Sequence, residues 1–131
     1  MRVILDSNFL FIPSQFQVDI FKELSKLLSQ RLELVILSPT HVELLKKAKA
    51  GSPKTRKRAS LALRLAEKCR LVDVEQSGGE TADDVIVRVA AEWKSPVATN
   101  DRVLRRRLRD ISVPVIYLRQ KSRLEMEGAG Y

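Results

Sequence analysis

A single cysteine, Cys69, is all the thiol chemistry in this chain. It excludes an intrachain disulfide framework and any zinc site built on cysteines, and it fits a reducing compartment. His41 is the only histidine. It stands beside a helix start, where it reads as an exposed residue rather than a catalytic one. Glycine and proline are scarce, five of each in 131 residues, so no low-complexity or disordered tract interrupts the sequence. Aromatics make up 5% of the residues, too few for a base-stacking platform. No apolar stretch approaches the roughly 20 residues of a membrane span, and the run before Asp6 is too short for a signal peptide. The expectation is a soluble, cytoplasmic protein forming one domain over residues 1–131, with a polar C-terminal tail from about residue 119.

Basic charge is plentiful. Twenty-four Lys and Arg against sixteen Asp and Glu give a formal net charge of +8, which points to a polyanionic partner such as nucleic acid. The excess is patchy. Between Lys46 and Arg70 there are ten basic residues and one acid, Glu67, and Arg102 to Arg109 adds five arginines and no acid. Either patch could also be only a solvated helix face.

Short apolar runs alternate with helical periods. Val3-Ile4-Leu5 reads as a buried strand ending at Asp6, and Phe16, Ile20, Leu24, Leu27 and Leu28 recur at helical spacing after it. Leu34 to Leu37 is a second strand, and Thr40-His41-Val42-Glu43 has the capping-box form that opens a helix to about Lys49. Gly51-Ser52-Pro53 is a break before a helix read over Ala59 to Lys68. Leu71 to Val74 is a third strand, and Thr81-Ala82-Asp83-Asp84 opens a helix carrying Val85, Ile86, Val89, Ala90 and Trp93. Pro96-Val97-Ala98 is a fourth strand, followed by the arginine-rich helix and a last strand, Val113 to Leu118. Five strands alternating with helices predict an α/β fold, an open parallel sheet covered on both faces.

In such a sheet the strand ends share one edge, and ligands bind where the strand order reverses. Asp6, Glu43, Asp83 and Asp101 all follow strands or open helices at that edge, so they can converge. Clustered carboxylates repel one another, and the usual relief is a hard divalent cation, Mg²⁺ or Mn²⁺. Such a cation between basic flanks suits phosphodiester hydrolysis. Each acid also has a plain structural reading. Glu43 could complete the capping box of Thr40, Asp101 could N-cap the arginine helix, Asp83 and Asp84 could complement a helix dipole, and Asp6 could close a turn with Asn8. On the helix after Thr81 the apolar side lies nearer Asp83 than Asp84, which favours Asp83 as the metal ligand and leaves Asp84 as the substitute. Ser7, Asn8, Thr40, Thr99 and Asn100 are placed to orient the carboxylates.

Leu5-Asp6-Ser7-Asn8, Pro39 to Leu44, Thr81 to Asp84 and Ala98-Thr99-Asn100-Asp101 together resemble the PIN domain family. Ala82-Asp83-Asp84, Val97 to Asp101, Leu104 to Arg109 and Val113 to Tyr117 most resemble its Fcf1/Utp24-like branch and the archaeal relatives of that branch. The resemblance implies a PIN-like (Rossmann-like) three-layer sandwich with a five-stranded, mostly parallel sheet. It also implies a Mg²⁺- or Mn²⁺-dependent endoribonuclease, with ribosomal RNA processing as its setting. Asp6, Glu43, Asp83 and Asp101 are then the candidate catalytic and metal-binding acids, with Asp84 as a further metal candidate. Lys46, Lys47, Lys49, Lys54, Arg56, Lys57 and Arg58 on one side, with Arg102, Arg105 and Arg106 on the other, are the candidates to bind RNA. Two other functions compete: a toxin-type PIN ribonuclease with an antitoxin partner, and a catalytically silent RNA-binding module of a ribosome-assembly complex. A homodimer is compatible with each. A phosphoacceptor receiver domain fits poorly, because Asp73 lies inside its strand and Leu118 is followed by Arg119 rather than Lys.

Overall fold

The computed structural model of the chain describes residues 1–128. Six strands form one sheet: β1 (Arg2–Leu5), β2 (Glu33–Leu37), β3 (Arg70–Val72), β4 (Val97–Ala98), β5 (Val115–Arg119) and β6 (Arg123–Glu127). Their spatial order is β3-β2-β1-β4-β5-β6. The first five run parallel, and β6 pairs antiparallel with β5. The order reverses between β1 and β4, where the crevice of an open α/β sheet lies.

Alternation along the strands feeds two cores. Val3 and Leu5 of β1 and Ile36 of β2 face one side, where they meet Phe9, Leu10, Ile12, Ile20, Leu24, Leu44 and Ala62. These come from a 3₁₀ turn (Ser7–Phe11) and from helices α1 (Ile12–Phe16), α2 (Ile20–Leu28), α3 (Ser38–Ala50) and α4 (Pro53–Ala66). Ile4, Val35 and Leu37 face the other side, against Val85, Ile86, Val89 and Ala90 of α5 (Ala82–Trp93) and Leu104 and Leu108 of α6 (Arg102–Asp110). The result is the expected three-layer α/β sandwich, with six strands rather than the five expected because β6 adds an antiparallel edge, and burial on both faces of β1 and β2 explains their continuous apolar runs.

The structure corrects several boundaries, among them the third strand, which ends at Val72 rather than Val74, and the last expected strand, which starts at Val115 rather than Val113. The stretch after Leu118 is not a polar tail, because β5 continues to Arg119 and β6 returns along it with Leu124 buried. Gln120 and Lys121 turn the hairpin with φ of 54° and 60°. That turn usually carries Asn-Gly or Asp-Gly, so the sequence holds no hairpin signal there. The expectation for residues 129–131 lies outside the described residues. The helical period from Phe16 to Leu28 is broken at Gln17, which adopts φ 55° and ends α1, and Asp19 then caps α2 by accepting from Lys22 N at 3.2 Å.

Helix α3 starts at Ser38 rather than at Thr40. Ser38 Oγ donates to Val74 O at 3.3 Å and accepts from Val74 N at 3.0 Å, and Pro39 fits the first turn, where no N–H is needed. The capping box of Thr40 and Glu43 therefore does not form. Helix α4 begins six residues earlier than Ala59, at Pro53, because Ser52 caps it by accepting from Thr55 N at 3.2 Å.

Candidate active site

Asp6 leaves β1 at the reversal point of the sheet and is buried, 5% exposed. Its Oδ1 accepts from Ser7 N at 2.8 Å, which starts the 3₁₀ turn, and its Oδ2 accepts from Thr99 Oγ1 at 2.8 Å, just beyond β4. The two strands flanking the crevice are thus joined through the acid. Burial pushes the Asp6 carboxyl up to about 6, against the hydrogen bond from Thr99, and the charges of Asp83 and Glu43 add to the rise.

The neighbouring polar residues form one network. Thr99 Oγ1 also lies 3.2 Å from Asn8 Oδ1, and it accepts from Asp101 N at 3.0 Å. Asn8 Oδ1 accepts from Asn100 N at 3.2 Å, and Asn100 Oδ1 accepts from Leu118 N at 2.8 Å, tying the loop after β4 to β5. Asp101 is the N-cap of α6, its Oδ1 accepting from Val103 N at 2.8 Å and Leu104 N at 3.1 Å. The capping reading of Asp101 is therefore correct for that oxygen.

Glu43 lies one turn into α3, out of capping range, and is half-buried. Its Oε1 accepts from Ser7 Oγ at 2.7 Å and from Lys47 Nζ at 3.4 Å. Ser7 thus bridges the Asp6 and Glu43 carboxylates. Thr40, one turn before Glu43, is buried, and its Oγ1 has no hydrogen-bond partner among the described residues.

Asp83 and Asp84 have opposite surroundings. Partial burial raises Asp83, and the charges of Asp101 and Glu43 raise it further. Asp84 is held below the usual range by the backbone hydrogen bond of Thr81, then by Arg107. Asp84 Oδ2 accepts from Thr81 N at 2.9 Å while Thr81 Oγ1 accepts from Asp84 N at 3.1 Å, a complete capping box. Its Oδ1 lies 2.9 Å from Arg107 Nη2. Asp84 is occupied with helix capping and an ion pair, whereas Asp83 is raised by burial and by the charges of other acids.

Of the expected basic residues, Lys46, Lys49, Lys54, Arg56 and Lys57 are exposed on α3 and α4, and Arg58 is half-buried. Lys47 leans on Glu43 and over the Phe11 ring, 5.6 Å from its centre. On α6, Arg102 and Arg106 are exposed, while Arg105 is half-buried. Arg107 and Glu127, which the sequence reading had not singled out, prove to be the partners of Asp84 and Arg105. No local signal marks them, since both pairings join separate elements.

The donor set consists of carboxylate and hydroxyl oxygens, the chemistry a hard divalent cation prefers. Among the described residues no three acids stand close enough to hold one ion between them as they are arranged.

Residues 3–121 match the family described as PIN like domain. The chain is 32% identical over 130 residues to the ribonuclease VapC4 of Methanocaldococcus jannaschii, covering 97% of each. It superposes on the structure of the PIN domain endonuclease Utp24 with a TM-score of 0.82 and 30% identity, over 98% of this chain and 92% of that one. The VapBC2 structure from Rickettsia felis, bound to a promoter DNA fragment, shares the fold at TM-score 0.59 and 16% identity, over 81% of this chain and 92% of that one. With nearly its whole length matched, the chain belongs to the PIN-like domain family.

Proposed function

We propose that this chain is a divalent-metal-dependent endoribonuclease that hydrolyses RNA phosphodiester bonds, with ribosomal RNA processing as its role. The observation that carries the reading is the hydrogen-bond network at the reversal point of the sheet, in which Ser7 joins Asp6 to Glu43 and Thr99 joins Asp6 to the Asp101 amide, while burial first and like charges second raise Asp6 and Asp83. Such an arrangement is costly unless a cation or proton relieves it. Family membership, and relatives named as a ribonuclease and an endonuclease, support the same chemistry.

Asp6, Glu43, Asp83 and Asp101 would hold Mg²⁺ or Mn²⁺ only after their side chains close in from where they stand, and the cation would supply a more acidic water and stabilise charge on the phosphate. The chain's own residues prepare that site. Thr99 and the Ser7 amide fix Asp6 through its two oxygens, and the Ser7 hydroxyl holds one oxygen of Glu43. Asn8 and Asn100 hold the loop that carries Asp101. Lys47 sits against Glu43 at the rim, where its ammonium is available to a phosphate. The exposed lysines and arginines attract the RNA backbone with little sequence preference.

The likeness to Utp24 over nearly the whole chain favours the processing role, whereas the identity to VapC4 favours a toxin with an antitoxin partner. The first test is incubation of the protein and its Asp6→Asn variant with labelled single-stranded and structured RNAs in Mn²⁺, Mg²⁺ or EDTA. Metal-dependent cleavage lost in Asp6→Asn with RNA binding retained supports the enzyme. Binding without cleavage on every substrate supports the silent assembly module instead. Growth arrest on expression, relieved by a co-expressed partner, would support the toxin.

A further inference from the structure

The outer side of α6 carries an open groove of about 360 Å³ lined by Arg102, Arg105, Arg106, Arg109 and Glu127. Four guanidinium groups face one carboxylate, so the groove repels cations and offers nothing to an apolar ligand. Leu104 and Leu108 anchor the opposite side of the helix in the core, which fixes the direction in which the arginines project.

The arginines are not equivalent. Arg105 lies over the Tyr117 ring, 3.8 Å from its centre, and Arg105 Nη2 is 3.0 Å from Glu127 Oε1. Arg109 Nη1 is 3.6 Å from Glu127 Oε2. Glu127 therefore holds two of the four from β6, and Tyr117 holds one of those from β5. Arg102 and Arg106 have no acidic partner among the described residues, and they sit one helical turn apart. From Arg102 to Arg109 the helix rises about 10 Å, against about 3.4 Å of rise per nucleotide on one strand of a stacked helix, so the row spans more than one backbone phosphate.

We propose that this groove is the register site for the RNA strand. Arg102 and Arg106 ligate consecutive stretches of its phosphate backbone, Arg109 joins them at the far end, and Arg105 with Glu127 forms the rigid wall. Arg102 directly follows Asp101, whose carboxylate caps the same helix, so the groove begins one residue beyond Asp101 and runs along α6 away from it. A strand seated there has its position relative to the acids set by α6. This rests on the ribonuclease reading, and it replaces a diffuse basic surface with a defined track in which Arg105 is a supporting residue. Planar guanidiniums suit phosphate oxygens because they donate in pairs.

The test is fluorescence anisotropy of a labelled single-stranded RNA with the full chain in EDTA, repeated across a salt series. Arg102→Gln/Arg106→Gln is compared with Arg31→Gln, which removes an exposed charge just before β2, and with Arg102→Lys/Arg106→Lys. The expected result is a dependence of log affinity on log salt flatter by about 1.4 in the Gln double variant, about 0.7 for each lost contact. Arg31→Gln should leave the slope near the parent value, and the Lys variant should restore most of it. Glu127→Gln, which releases Arg105 and Arg109, should tighten binding. An unchanged slope in the Gln double variant, or equal flattening by Arg31→Gln, overturns the groove. Because binding is read without metal, the two readings fail separately. Arginine-dependent binding without cleavage in any metal would defeat the enzyme and leave the groove, whereas metal-dependent cleavage with an unaltered slope would defeat only the groove.

Discussion

Arg107 Nη2 on α6 lies 2.9 Å from Asp84 Oδ1 on α5, while the other oxygen of Asp84 closes the capping box with Thr81. The pair ties the first turn of α5, which carries Asp83, to the last turn of α6, the helix that Asp101 caps. It also separates two adjacent aspartates, one tied to protein donors and one raised by burial and by neighbouring acids. Asp83→Asn should therefore reduce metal-dependent cleavage to background. Asp84→Asn and Arg107→Gln should each reduce it by about 10-fold, the scale of an outer-shell change, mainly by weakening apparent metal affinity. A manganese titration of cleavage rate for the three variants checks this, and equal losses for Asp83→Asn and Asp84→Asn would contradict it.

Asp6 makes stability depend on pH. Its folded value of about 6 lies above its ordinary 3.8, so between those values the folded state binds more protons than the unfolded one. Stability without metal is then greatest, relative to an uncharged residue, below about pH 4, and falls as pH rises through about 6. The full penalty at pH 7 is about 3 kcal/mol. Asp6→Asn should raise Tm at pH 7 in EDTA. Its Oδ1 can keep the Ser7 amide, its amide can donate to Thr99 Oγ1, and the threonine proton can then go to Asn8. The gain should shrink near pH 4, as thermal melts at the two pH values would reveal. A gain independent of pH would assign the effect to packing rather than charge.

Metal binding should show the corresponding dependence. Asp6 must lose its proton to ligate a cation, so apparent Mn²⁺ affinity should rise with pH up to about 6 and level off above it. Calorimetric titrations of the Asp6→Asn variant should show a smaller rise, the part left by Asp83.

Thr99 serves Asp6, Asn8 and Asp101 through one buried hydroxyl. Thr99→Val keeps the shape but leaves a buried carboxylate oxygen and the Asp101 amide unsatisfied. Denaturant melts in EDTA should show a loss of about 1–3 kcal/mol. Removing the donor from Asp6 should also move its titration further up, visible by NMR of the carboxyl carbon.

The hairpin of β5 and β6 gives a separate check on the fold. Lys121 has φ 60°, a conformation that costs an L-residue about 1–2 kcal/mol, so Lys121→Gly should stabilise by about 1 kcal/mol once the extra freedom of glycine is offset. Leu124, buried on β6, should lose about 2 kcal/mol or more as Leu124→Ala. Chemical melts of the two variants should move in opposite directions.

Much of this arrangement was legible locally. The apolar runs around Val3, Val35, Val97 and Val115 are buried on both faces of a parallel sheet, so uninterrupted hydrophobicity marked them. The acids that follow those runs lie at the edge where strand ends meet, because strand direction alone places them there. The helix face carrying Ile86 and Val89 pointed to Asp83 rather than Asp84, and in the structure Asp84 is the one tied to Thr81 and Arg107.

Other features depended on partners far away in sequence. Thr40 and Glu43 spell a capping box, yet Val74 secures Ser38 and moves the helix start back by two residues. The turn at Gln120 and Lys121 has no turn chemistry of its own, and its hairpin rests on pairing with β5 and the burial of Leu124. Five arginines on one short helix look alike in sequence, but Tyr117 and Glu127 hold Arg105, Asp84 holds Arg107, and Arg102 and Arg106 are left to solvent. Composition and local pattern determined the layers, the acids and the basic surfaces, since these follow from hydrophobic period and charge count. Only the tertiary structure decided which carboxylates are tied to protein donors and which arginines are available, because ion pairs and buried hydrogen bonds form between whatever groups the packed elements bring together.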